Sequence, residues 1–163
     1  METKCSKWRT SVTVSSIIEQ DGKFLFVEEE TRDGIFINQP SGHLEAGESP
    51  LQASIRETRE ETSFEFIPSN FLGVYLCQAI SQKDLYNVTY LRLAFCGSAG
   101  KFYNEPLDDG IIRTHWFSYD EVLKLEKQNR LRSPLVLSCL QDYVSGKRLD
   151  LSSVYSHSSI WEV

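Results

Sequence analysis

Glu57, Glu60 and Glu61 follow one another at close spacing, with Arg56 just before them, Arg59 among them and Glu48 upstream. On an α-helix each residue advances about 100°, so with Leu51 at zero the three glutamates fall at about 240°, 180° and 280°. They share one face, and Glu57 and Glu61 stack a turn apart. Like charges at that spacing destabilise a helix by about 0.2–0.5 kcal/mol per pair. Carboxylate oxygens gathered on one face also suit a hard divalent cation such as Mg²⁺, with positions left for water and phosphate. Such a cation would offset the repulsion and could prepare a phosphoryl group for attack by water. The commoner reading of a charge run is a solvated face, here paired with Arg56 and Arg59.

The helix that must carry these groups is well marked. Ser49 is placed to cap it, Pro50 suits its first position, and Gln52 completes a capping box. The pattern predicts a helix to about Thr62, with Leu51, Ser54, Ile55, Thr58 and Thr62 facing inward. Before it, Ser11–Ile18 reads as a strand, Asp21-Gly22 as a hairpin turn, and Lys23–Val27 as the return strand. Gly34–Asn38 is a short third strand, stopped by Pro40. After the helix, strands are predicted at Phe71–Cys77, Val88–Phe95 and Arg113–Phe117. Ser118 to Glu121 forms a second capping box, and Ser133-Pro134 opens a last helix stopped by Gly146. This order lacks regular βαβ alternation and predicts an α+β sandwich on a mixed sheet. Without repeats or linkers, residues 1–163 read as one domain, with a core from about 10 to 151.

Composition bounds the partners. Apolar residues make up 40% and charged residues 25%, with a formal net charge of -6. That balance fits a globular chain and excludes a general nucleic-acid or anionic-membrane binder, which would show a basic face. The first residues lack an apolar signal stretch, and no run is long enough to span a bilayer. A cytoplasmic location is therefore expected. Cys5, Cys77, Cys96 and Cys139 show no disulfide or zinc spacing and are expected to be small buried hydrophobes.

The residues upstream of the helix decide between the two readings of the acidic face. Gly42, five residues, Glu48, seven residues, Arg56-Glu57, two residues, Glu60-Glu61 resembles the Nudix box at every charged position. Thr58 and Ser63 depart from it, replacing a large apolar residue and a helix-ending glycine. If that glycine position has positive φ, Ser63 costs about 1 kcal/mol. Asn38 to Glu45 and Leu131 to Val136 are similar to the NudJ-type bacterial phosphatases within that family, and the likeness runs from about Ser11 to Leu151.

The resemblance implies a Nudix-type α/β/α sandwich with a mixed sheet and a loop–helix–loop box. It implies hydrolysis of a small organic di- or triphosphate, such as a nucleotide or a pyrimidine pyrophosphate, with release of orthophosphate. Mg²⁺ is the implied cofactor, with Mn²⁺ as a substitute. Glu57 and Glu61 are implied as direct ligands, Glu60 as a ligand or a holder of coordinated water, and the Ser41 carbonyl as a further ligand. Glu48 and Arg56 stand behind the ligands and fix their orientation, while Gly42 lets the loop approach the helix closely. The general base is either Glu57 or a loop acid, Asp108 or Asp109, which read equally well as a plain Asp-Gly turn.

Other residues carry weaker signals. His43 reads as a loop residue rather than a phosphate contact, His115 as structural, and His157 as part of a polar tail. Trp8, Phe36, Tyr75 and Tyr86 read as packing aromatics rather than base platforms. Arg132 either meets a phosphate or caps the neighbouring helix. Two other outcomes stay open: a pyrophosphatase that gives a nucleoside monophosphate, and a nucleotide sensor without catalysis. A sensor is expected to lose box carboxylates, and this chain keeps them.

Overall fold

The computed structural model describes residues 9–80 and 87–162. β1 (Arg9–Gln20) and β2 (Lys23–Thr31) join through Asp21 and Gly22, both at positive φ, as a two-residue hairpin turn requires. β3 (Gly34–Asn38) pairs with β2, and β4 (Ser41–His43) pairs with β1. α1 (Pro50–Thr62) leads into two long strands, β5 (Phe64–Ile80) and β6 (Asn87–Phe102). β7 (Ile111–Phe117), α2 (Tyr119–Lys127) and α3 (Pro134–Val144) follow. The sheet order is β3-β2-β1-β6-β5, with β4 added to β1 and β7 to β2. β1 and β6 run parallel while the other pairs are antiparallel, so the sheet is mixed as expected.

Both faces of the sheet are covered. Phe24, Phe26, Ile17, Ala94 and Cys96 point toward Val122 of α2 and Val136, Cys139 and Leu140 of α3. Their neighbours Leu25, Val14, Ile18 and Phe95 point the other way and pack with Ala53 of α1. This strict alternation is the period of two that a strand imposes, and it yields the α/β/α sandwich. No helix among the described residues is long and apolar enough to cross a membrane.

α1 sits differently from its expected register. Ile55 is 37% exposed, whereas the buried residues are Ala53, Ser54, Glu57, Thr58, Glu61 and Thr62. The buried arc is thus turned toward the acids. Hydroxyl groups cause this: Thr58 Oγ1 lies 2.8 Å from both Ser16 Oγ on β1 and the Ser54 carbonyl. Thr58 therefore joins helix to sheet through a hydrogen bond where an apolar residue would use packing. Ser63 ends the helix at φ 61°, the left-handed value that its replacement of glycine made costly. Its Oγ accepts the Glu105 N–H at 2.7 Å, which offsets part of that cost.

Both capping boxes form. Ser49 accepts from the Gln52 N–H while the Gln52 side chain accepts from the Ser49 N–H, and Ser118 with Glu121 repeats the arrangement. Ser133 precedes α3 but makes no capping bond, and its Oγ is buried without a partner. Replacing Ser49 with Ala should cost about 1 kcal/mol. A thermal melt should show Tm lowered by about 2–4 °C. An unchanged Tm would mean that tertiary packing alone fixes the start of α1.

Candidate active site

The site forms where α1, β4 and the loop after β6 meet. Glu57, Glu60 and Asp108 each offer a carboxylate oxygen, and these atoms lie within 4.8 Å of one another. Asp108 reaches the helix because the loop is fastened to the α1 C-terminus. The Asp108 N–H donates to the Glu60 carbonyl at 3.0 Å, and the Tyr103 N–H to the Ser63 carbonyl at 2.8 Å. Arg59 pairs with Glu105 at 2.7 Å and covers the Tyr103 ring. Arg59 is thereby spent on the loop and does not neutralise the acidic face. Asp109, the other loop candidate, lies outside the carboxylate cluster and forms the expected turn with Gly110.

Arg56 is the hub. Its Nε and Nη2 donate to the two oxygens of Glu48 at 3.0 and 2.7 Å, a bidentate pair. Nη1 donates to Glu57 at 2.8 Å and to Glu60 at 2.9 Å, and Nη2 also reaches the His43 carbonyl at 3.0 Å. Arg56 thus fixes the orientation of Glu57 and Glu60 and ties the helix to the β4 loop.

Gly42 allows the close approach that the sequence predicts: a Cβ there would overlap the Glu57 carboxylate. Beside it, the Ser41 N–H donates to Glu61 at 2.8 Å. Burial raises the pKa of Glu57, opposed by its bonds to Arg56 and reinforced by Glu60 and Asp108. Burial pushes Glu61 up to about 9, opposed by the Ser41 N–H and reinforced by Glu57, Glu29 and Asp108. Glu48 moves the other way, held low by the bonds from Arg56. One guanidinium thus faces more carboxylate charge than it can balance. An all-oxygen donor set with surplus negative charge fits a hard divalent cation.

A cleft of about 1060 Å³ runs from this cluster across the sheet. Ser41, Gly42, Glu57 and Glu61 line it beside α1, and Glu29, Tyr90, Arg92 and Arg132 line it beyond Asn38, which donates to Ser41 Oγ at 2.9 Å and to Glu29 at 3.2 Å. Arg132 pairs with Glu29 at 3.3 Å, so its side chain serves the cleft and not the helix end. Cys77 is only half-buried and lines the cleft, in contrast to buried Cys96 and Cys139. His115 bonds Glu28, His157 caps the 3₁₀ turn at Ser158–Trp161, and Tyr75 donates to Asp142, all structural roles. His43 contributes its carbonyl to Arg56 and lines the cleft. Phe36 lies under Arg132. Cys5, Trp8 and Tyr86 lie outside the described residues.

Sequence reasoning missed Arg92 and Glu29. Arg92 could have been found as the one charge in the alternating inward positions Val88, Tyr90, Arg92, Ala94 and Cys96 of β6.

The profile of the NUDIX domain matches residues 7–137. The chain belongs to the Nudix family. It is 33% identical over 148 residues to phosphatase NudJ of Escherichia coli K12, covering 90% of this chain and 92% of that protein. The Shigella boydii phosphatase NudJ is 34% identical over the same length and shares. A solved Nudix hydrolase from Nitrosomonas europaea is 44% identical and superposes with a TM-score of 0.83 over 91% of this chain and 98% of that one. The MutT protein of Methanosarcina mazei, at 19% identity and a TM-score of 0.68, shares the fold. This chain is a Nudix hydrolase, an enzyme that cleaves small phosphorylated substrates, and its family uses divalent metals.

The raised Glu61 carboxyl has a measurable consequence. Its ordinary value is 4.5, so between there and about 9 the metal-free folded chain keeps a proton that the unfolded chain has released. Stability contributed by this group therefore falls as pH rises across that window. In EDTA, thermal melts from about pH 5 to pH 9 should show a decline that Glu61→Gln flattens. A decline of equal slope in Glu61→Gln would place the titrating group elsewhere.

Proposed function

We propose that this Nudix hydrolase removes the terminal phosphate of nucleoside tri- and diphosphates or of a pyrimidine pyrophosphate, with Mg²⁺ as cofactor and Mn²⁺ as a substitute. The observation that carries this reading is the convergence of Glu57, Glu60 and Asp108 beside buried Glu61 at the end of a large cleft. Glu57, Glu60, Glu61 and the Ser41 carbonyl are the residues that would hold the cation. When bound, the cation supplies positive charge for the phosphoryl oxygens and lowers the pKa of the attacking water.

The chain supplies the remaining parts. Arg56, held by Glu48, keeps Glu57 and Glu60 in fixed orientation, so little reorganisation is needed at the moment of reaction. A carboxylate near the water accepts its proton. Asp108 is assigned that role in place of Asp109, because its carboxylate lies beside Glu57 and Glu60. Gly42 keeps the Glu57 carboxylate against β4. The similarity to phosphatase NudJ supports release of orthophosphate. One catalytic domain acting in the cytoplasm on a small phosphorylated molecule completes the proposal.

Purified protein should release orthophosphate from nucleoside triphosphates and diphosphates in Mg²⁺, lose the activity in EDTA, and regain it on adding Mg²⁺. Turnover in heavy-oxygen water should place the label in orthophosphate. Label confined to pyrophosphate or to the nucleoside monophosphate refutes the choice of bond, and full activity in EDTA refutes the metal.

Glu57→Gln, Glu61→Gln and Asp108→Asn should each lower kcat by about a hundredfold or more. A loss seen in Asp109→Asn and not in Asp108→Asn would move the base to the neighbouring residue. Normal rates in both Glu variants would place the site elsewhere.

A further inference from the structure

Arg92 stands where the core under α3 ends and the cleft begins. On β6, Ala94 and Cys96 enter that core, whereas Val88, Tyr90 and Arg92 on the same face line the cleft. The register places Arg92 opposite Thr13 of β1, which is in turn opposite His43 of β4. Neighbouring strands are about 4.8 Å apart, so its Cα lies about 10 Å from the strand that carries Gly42.

The residue is 7% exposed, yet its partners are neutral: the Gln39 and Asn38 side chains and the Cys139 thiol of α3. Nη1 donates to the Gln39 side-chain oxygen at 3.3 Å and Nη2 to that of Asn38 at 3.5 Å. Nε is buried without a hydrogen-bond partner. Arg92 forms no ion pair among the described residues, and nearby Glu29 is already engaged by Arg132 at 3.3 Å and Asn38 at 3.2 Å. A guanidinium offers five N–H donors in a fixed plane, and burying it with donors to spare is costly. An apolar residue would serve folding better at such a place. The spare donors therefore point to an acceptor brought by a ligand.

The surroundings say which acceptor. Phosphate oxygens belong beside α1, where the carboxylates would gather a cation. Around Arg92 the cleft is lined by Ala79, Val88, Tyr90 and Leu135, which suit a flat ring. We propose that Arg92 is a specificity-determining residue whose guanidinium donates to the acceptor edge of a substrate heterocycle, a carbonyl oxygen beside a ring nitrogen. Cytosine and guanine present such edges, which an arginine fork matches in its plane. The assignment rests on the hydrolase reading above but concerns residues of β6 and not the carboxylates of α1.

Calorimetric titration of the metal-free protein tests it apart from turnover. The probes are cytidine and guanosine 5′-monophosphates, with ribose 5-phosphate as the ligand that lacks a ring base. The better nucleotide should bind the wild-type chain about tenfold or more tightly than ribose 5-phosphate. Arg92→Gln should bring that ratio to about one by weakening the nucleotide alone. Arg92→Lys, which keeps the charge without the fork, should leave the ratio near one and decides the matter if the Gln variant does not fold. No nucleotide preference in the wild type, or an unchanged ratio in both variants, overturns the proposal. Equal weakening of all probes also overturns it, assigning Arg92 to phosphate. Absence of phosphate release by the wild type would instead refute the hydrolase reading and leave the binding ratios to stand or fall by themselves.

Discussion

Arg56 is the contact on which the site depends. A single guanidinium holds Glu48 in a bidentate pair, reaches Glu57 and Glu60, and grips the His43 carbonyl of the β4 loop. Without it, the carboxylates on α1 would repel one another and swing toward water. With it, they stay fixed but undercompensated, because the other helix arginine, Arg59, is committed to Glu105. Charge left over in a partly buried place is a poor way to stabilise a fold and a good way to hold a cation.

The same competition between stability and chemistry explains the two departures from the family pattern. Apolar packing would drive α1 against the sheet at whatever rotation buries most surface. Here Thr58, Ser54 and Ser16 join the surfaces through hydroxyls, and hydrogen bonds have direction. That direction favours the rotation that buries Glu57 and Glu61 and leaves Ile55 partly outside. Ser63 uses its backbone carbonyl and Oγ to hold Tyr103 and Glu105, the start of the loop that delivers Asp108.

Local signals were legible and long-range ones were not. Ser49, Gln52, Ser118 and Glu121 announced two helix starts because a capping box is written within four residues. The box glutamates and Gly42 were legible for the same reason. The full length of β5 and β6 was hidden. The expected strand stopped at Phe95, yet β6 runs on to Phe102, and Gly97 is needed inside it, where a Cβ would strike the backbone of Ile67. The rotation of α1 was misread because apolar Leu51 and Ile55 marked the inward face, and hydroxyl bonding to β1 is not visible in helical spacing. Asp108 and Asp109 could not be separated, since only the bond from the Asp108 N–H to the Glu60 carbonyl decides which one faces the helix. Arg92 carried a signal, a charge in an inward strand register, but its neighbours Asn38, Gln39 and Cys139 come from distant parts of the chain.

A chain with a net charge of -6 that acts on phosphorylated substrates needs a local inversion of its field, and the acidic cluster on α1 is where a cation would supply it. Near α1 a cation can gather phosphate oxygens that the surface would otherwise repel. Toward α3 the arginines stand among Glu29, Asn38 and Gln39, so their charge is largely spent locally and their donors remain directional. On the reading proposed above, attraction to a cation beside α1 serves cleavage, and directed bonds from β6 serve selection. The sheet makes this division possible, because β1 carries β4 on one edge and β6 on the other and so fixes the separation of the two. A change that alters selection can then occur on β6 without moving a carboxylate on α1, which is how one box can serve substrates that differ only in the group beyond the phosphates.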